Sequence, residues 1–224
     1  MEKPLAITTA EAETKGVQSI IGFSYRRVPA LALARELIAE GRLGAVRHIR
    51  AAYFQDWLSD TASPVIWRPR KETASPGAPG DIAAHAIAQV VFLLGDAVTE
   101  VTGRLHTFVD RLPGPDSPEE VAVDAAAWAT LTLASGTIAS VEVSRMATGQ
   151  KNSLRLEIYG DKGTILFDAD ALNELGFLDA TAPVHEQGFQ RILVKSPIRC
   201  GEMGRLKPNH GRLVHGMIAR SQAG

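Results

Sequence analysis

The chain has 224 residues, 45% of them hydrophobic and 22% charged, with a formal net charge of −1. That suits a globular protein of one large or two small domains, and the balanced charge gives no electrostatic footprint for nucleic acid or an anionic membrane. A single cysteine, Cys200, rules out an internal disulfide and a cysteine-rich zinc site; no apolar run is long enough to span a membrane, and with no signal core near Met1 the expected location is the cytoplasm.

The first residues, Met1-Glu2-Lys3-Pro4, form a charged start with no strand before it. Thr8 and Glu11 have capping-box spacing, which predicts a short helix over 10–15 ending at Gly16. Val17 to Phe23, with β-branched Val17, Ile20 and Ile21, reads as a buried strand. Pro29 then opens a helix whose apolar stripe is Ala30, Leu33, Ala34, Leu37 and Ile38, closed by Gly41. Val46 to Gln55 reads as a strand running into Asp56-Trp57, and the segment from Trp57 to Pro79 reads as a loop.

Between Gly80 and Gly95 every residue except Asp81, His85 and Gln89 is apolar. A helix apolar nearly all round is buried, and three polar residues four apart stack on one face of it. Asp81 is suited to a helix's first turn, where a carboxylate meets unpaired N–H groups. A histidine in such a helix is either a core residue bonded locally or a chemical group opening into a cleft.

Beyond Gly95 the period changes to two. Val98 to Val109, Ala122 to Leu133, Thr137 to Ser144, Leu154 to Tyr159, Thr164 to Phe167, Leu175 to Leu178 and Gln190 to Val194 read as strands. Ser135-Gly136 and Asp161-Lys162-Gly163 are hairpin turns. The expected fold is therefore α+β: a large, mostly antiparallel sheet with the two apolar helices covering one face. A last helix is predicted over 209–222. His210 and His215, five apart, are poorly spaced for a shared metal ion, and no metal site is expected.

The stretch GFSYRRVPALALARELIAEGRLGAVRHIRAAYFQDW, the Trp67-Arg68 pair, GAPGDIAAH and the Gly160-Asp161-Lys162-Gly163 turn, with Glu2-Lys3-Pro4 ahead of them, resemble the Gfo/Idh/MocA family of NAD(P)-dependent oxidoreductases. The resemblance covers about residues 1–170. It implies that residues 1–27 are the last strand-helix remnant of a dinucleotide-binding Rossmann domain. Residues 28–224 would be the C-terminal sheet domain for substrate binding and oligomerisation. It implies NAD or NADP as cofactor, a small polyol or sugar as substrate, and a homo-oligomer formed through the sheet face.

By that resemblance Glu2, Lys3 and Pro4 lie at the nicotinamide site, and Lys3, Asp81 and His85 are the catalytic set. Tyr25, Arg26, Trp67 and Arg68 are expected to join Asp81 and His85 on the substrate side. His85 is the natural proton acceptor, with Asp81 orienting it and Lys3 donating to the substrate oxygen. Apart from the resemblance, Lys3 reads as a solvated charge near a chain end, and Tyr25-Arg26 equally well as a pair joining two layers. Tyr53 and Trp57 also flank the long loop. The Gly-x-Gly-x-x-Gly turn that holds a dinucleotide's pyrophosphate is absent, so the sequence suggests a family member lacking most of its cofactor half. A non-catalytic sugar-binding or oligomerisation module, or an incomplete gene product, are the other expectations.

Overall fold

The computed structural model describes residues 22–60, 77–113, 117, 119–121 and 123–194. The predicted helix over 10–15, all but the last two residues of the predicted strand over 17–23, and the predicted helix over 209–222 lie outside them. So do Glu2, Lys3, Pro4, Trp67 and Arg68.

A one-turn 3-10 segment, Ser24–Arg27, leads into α1 (Pro29–Ala39). Pro29 occupies the first turn, where its missing N–H costs nothing. Ala30, Leu31, Ala34 and Leu37 are buried, with Leu33 and Ile38 packed on the rim of the core. Next come β1 (Val46–Phe54) and the buried helix, α2 (Ala84–Leu94), which is entered through a π-helical turn, Pro79–Ala83.

The remaining strands are β2 (Val98–His106), β3 (Arg111–Leu112), β4 (Glu119–Glu120), β5 (Ala126–Leu133), β6 (Ile138–Ser144), β7 (Ser153–Gly160), β8 (Gly163–Asp168), β9 (Glu174–Asp179) and β10 (Gln190–Leu193). Strands β3 and β4 make a separate two-stranded ribbon. The other eight form one sheet in the order β10-β9-β8-β7-β1-β6-β5-β2.

Both predicted hairpin turns join antiparallel neighbours, β5 to β6 and β7 to β8. Among the described residues every strand pairing is antiparallel except β1 with β6, where Ala51 faces Val141. A parallel pair needs a long crossover. The connection leaving β1 includes α2, and so β1 lies between β6 and β7 rather than beside β2.

Period-two burial divides the sheet cleanly. Ile49, Ala51 and Tyr53 of β1 point inward, with Leu131 and Leu133, Val141 and Val143, Leu154, Leu156 and Ile158 from their neighbours. Helix α2 lies over β1 and β6, and α1 over β8 and β9. Each large aliphatic side chain closed in this way contributes roughly 1.5–3 kcal/mol.

The opposite face is polar and aromatic. Arg50 Nη1 lies 3.0 Å from Glu157 Oε2, Tyr159 donates to the same oxygen at 2.5 Å, and His48 stacks on Tyr159 with ring centroids 4.6 Å apart. The turn after α1 docks against the β7–β8 turn, where Ala45 N–H donates to Asp161 Oδ1 at 2.7 Å. Gly44, at φ +65°, makes this approach possible, because a Cβ there would come within 1.9 Å of that oxygen.

Candidate functional site

Within the segment from Gly80 to Leu93 only Asp81 and His85 retain appreciable exposure; every other residue is buried. They sit near the chain entry of α2, close to the C-terminal end of β1.

Asp81 does not open the helix, contrary to its suitability for a first turn. Helical backbone already begins at Gly77-Ala78, and the expected flexible run into Gly80 is helical there. The carboxylate that meets the first turn is that of Asp124, whose Oδ2 accepts from Ala78 N–H at 2.9 Å. Gly77, at φ +50°, allows this, since a Cβ would lie 2.4 Å from Asp124 Oδ1. Burial pushes the Asp124 carboxyl up from its ordinary value, against the pull of its hydrogen bonds and of Arg145.

Asp81 faces Arg145 instead, at 3.6 Å between Oδ2 and Nη1. Gln89, the third member of the predicted polar seam, is fully buried, and among the described residues its amide has no hydrogen-bond partner. The seam therefore reaches the site at two positions, not three.

Aromatic edges enclose the His85 imidazole. Phe23, Tyr25 and Tyr53 meet it in T-shaped contacts with centroids 5.5, 5.9 and 6.0 Å away. Tyr25 comes from the 3-10 turn before α1 and Tyr53 from the end of β1.

The two tyrosines belong to a hydrogen-bonded circuit whose direction follows from one donor. Trp57 Nε1–H can only donate, and it does so to Gln55 Oε1 at 2.9 Å. Gln55 Nε2 then donates to Asn152 Oδ1 at 2.8 Å, and Asn152 Nδ2 donates to Tyr25 OH at 3.1 Å. Tyr53 OH donates to Asn152 Oδ1 at 2.7 Å, so Tyr25 OH must donate to Tyr53 across their 3.1 Å contact. Burial, reinforced by Tyr25, raises the Tyr53 hydroxyl well above the ordinary tyrosine value, so it stays protonated.

Of the residues singled out in the sequence, the structure brings together Asp81, His85, Tyr25, Tyr53 and Trp57. Arg26 stands apart from them: its guanidinium lies over the Phe23 and Phe92 rings, 5.1 and 5.8 Å from their centroids. This is the contact of a residue joining two layers. Burial, then Arg35, lowers its pKa. Gln55, Asn152, Arg145 and Asp124 went unrecognised in the sequence. Gln55 stood at the predicted end of a strand, beside Trp57. Asn152 and Arg145 flank the β6–β7 connection and reach the site only because β1 lies between those strands.

A dinucleotide's pyrophosphate needs a glycine-rich turn between a strand and a helix N-terminus. Among the described residues there is none, since Gly77 and Gly80 lie within the helical segment itself. The described residues thus provide no such cradle. Among them, no three His, Cys, Asp or Glu side chains converge as a metal site would require.

The described residues thus build one large, mostly antiparallel sheet with α1 and α2 packed on one face. The chain belongs to the GFO/IDH/MocA family: the profile of that family's C-terminal domain matches residues 31–166, more than half of its length.

It is 34% identical over 214 residues to levoglucosan dehydrogenase of Pseudarthrobacter phenanthrenivorans, covering 85% of this chain and 54% of that protein. Its fold is similar to the crystal structure of an oxidoreductase domain protein from Kribbella flavida, with TM-score 0.80 and 42% identity, covering 99% of this chain and 63% of that one. It is also similar to a levoglucosan dehydrogenase in complex with NADH and L-sorbose, with TM-score 0.81 and 32% identity, covering 100% and 64% respectively. The chain spans between about half and two thirds of the length of these proteins.

Proposed function

We propose that the chain carries the substrate side of an NAD(H)-dependent dehydrogenase. Its substrate would be a carbinol of a levoglucosan-like sugar or a related small polyol. The observation that carries this reading is the half-buried imidazole of His85, walled by Tyr25 and Tyr53 and set beside the Trp57–Gln55–Asn152 circuit. Rigid aromatic faces next to directional amide and hydroxyl groups suit a ring that is apolar on its faces and hydroxylated at its rim. The NADH and L-sorbose complex of a relative supports the same chemistry.

Oxidising a carbinol sends a hydride from carbon to the nicotinamide, which supplies that step when bound. The hydroxyl proton goes to His85, histidine being the residue type suited to proton transfer near neutral pH. Asp81, about one helical turn away, favours the cation that forms. Lys3, with Glu2 and Pro4 at the nicotinamide, and Trp67 and Arg68 at the sugar, are assigned on the family resemblance. NADP is the other dinucleotide this family resemblance allows. A cytoplasmic location fits the single cysteine.

The test is tryptophan fluorescence of the chain titrated with levoglucosan, L-sorbose or an inositol, with NAD+ reduction measured once a dinucleotide-binding domain is supplied. Saturable binding of at least one of these is expected, with turnover in the supplemented protein. A folded sample that neither binds nor oxidises any of them would overturn the reading.

A second proposal concerns the outer sheet face, where Trp128 and Ile138 are 39% and 41% exposed on β5 and β6, toward the β2 edge. Trp128 sits between Arg104 and Glu142 on the neighbouring strands. We assign this face to self-association. Trp128→Arg is expected to shift sedimentation equilibrium toward the monomer, and an unchanged mass distribution would refute the assignment.

A further inference from the structure

We propose that Arg145 is a positioning residue that locks the Asp81 carboxylate and the Trp57 indole into one arrangement. The proton-transfer half and the sugar-facing half of the site would then be set by a single buried guanidinium. The inference rests on the dehydrogenase reading and names a residue that reading does not use.

Arg145 follows directly after β6, and its side chain is 3% exposed. One nitrogen, Nη1, lies 3.6 Å from Asp81 Oδ2. The other, Nη2, donates to the Asp124 carbonyl at 2.5 Å. The guanidinium carbon sits 5.4 Å from the Trp57 ring centroid, in cation–π range. Its backbone is fixed on both sides, with Arg145 N–H donating to Ala125 C=O at 2.9 Å and Leu58 N–H donating to Arg145 C=O at 3.1 Å. Behind it Leu58, Val109, Val123 and Met146 line an apolar niche.

A cation taken this far out of water is costly unless it is paired and hydrogen-bonded. The partners named above belong to elements that carry the site. Asp81 is on the helix of His85. Asp124 supports the start of that helix. Trp57 begins the donor circuit that runs through Tyr25 and Tyr53.

Arginine suits the task and lysine does not. The guanidinium edge serves the carboxylate and the carbonyl while its face lies on the indole, and an ammonium can supply only the charge. The two functions are therefore separable by substitution.

Arg145→Lys is expected to hold kcat for the sugar within about threefold and to raise its KM about tenfold, because the charge beside Asp81 remains and the platform on Trp57 is lost. Arg145→Met is expected to raise KM similarly and also to lower kcat by more than about tenfold. A merely structural role would reduce the active fraction, lowering kcat in both variants at unchanged KM, and that result would overturn the proposal.

A second readout needs no turnover. The indole N–H resonance of Trp57, assigned by Trp57→Phe, is expected to move when Asp81→Asn is introduced into the wild-type chain, and to stay in place when Asp81→Asn is introduced into Arg145→Met. An Asp81→Asn variant that leaves the resonance unmoved in the wild-type background refutes the coupling. If the wild-type chain binds no sugar, the dehydrogenase reading fails by itself, and the resonance alone decides whether Arg145 links the two halves.

Discussion

The polar seam that runs from the π-helical turn into α2 keeps one spacing and meets two fates. Asp81 and His85 are half-buried and face charged, hydroxylated and aromatic neighbours. Gln89, one turn further on, is sealed in the core, with Ala86 and Leu93 buried three before and four after it on the same side. Periodicity sets which residues line up on a helix. What surrounds each position decides whether a polar side chain there does chemistry or only carries an unsatisfied amide.

The comparison can be broken most directly at His85. His85→Ala is expected to lower kcat/KM for sugar oxidation by about 10²–10⁴-fold, as loss of a general base does, with little change in the thermal midpoint. A variant retaining near wild-type activity would remove His85 from the mechanism.

On the buried side of the same helix, Ile87 is 4% exposed. Ile87→Ala is expected to cost about 2–5 kcal/mol by urea denaturation, through lost burial and the cavity left behind. A cost comparable to that of His85→Ala would mean the helix is not buried as described.

Gln89→Met should do the reverse. Exchanging an unsatisfied amide for an apolar chain of similar length is expected to raise stability by about 1 kcal/mol. A clear loss of stability would show that the amide has a partner, such as buried water.

The smallest effect is electrostatic. The folded-state pKa of Asp124 is raised above its ordinary 3.8, so the folded chain binds that proton more readily than the unfolded one. Stability from this group therefore falls as pH rises from 3.8 to the folded value, and is flat above it. Asp124→Asn, which can still accept from Ala78 N–H, is expected to remove this segment from a wild-type-minus-variant stability profile. An unchanged profile would mean the carboxyl is better solvated than its burial indicates.

Much of the architecture was legible because its signals are local. The stripe behind Pro29, the turn at Ser135-Gly136 and the β-branched runs are properties of short windows, and the elements they specify formed there. The Asp81–His85 pair was legible for the same reason, being two residues on one helix. The parallel insertion of β1 was not, because strand order depends on long-range pairing that no short window encodes. That omission hid Asn152 and Arg145, whose neighbours at Gln55 and Trp57 lie about ninety residues away along the chain. Asp124 was missed because its task, capping a helix from another segment, leaves no spacing signature. Of the two residues that the family resemblance grouped, Tyr25 lies beside His85 and Arg26 packs on phenylalanine rings.

The central position of β1 also bears on how the chain assembles. Its partners are distant, since Arg50 pairs its side chain with Glu157 across 107 residues of sequence, whereas β5 with β6 and β7 with β8 are hairpins. During synthesis this strand must wait for two sheet halves that are translated much later. Contacts of such long range slow folding, and an unpaired strand edge invites association while it lasts. The strand that brings Tyr53 and Gln55 to the site is therefore the one whose docking has to complete the sheet.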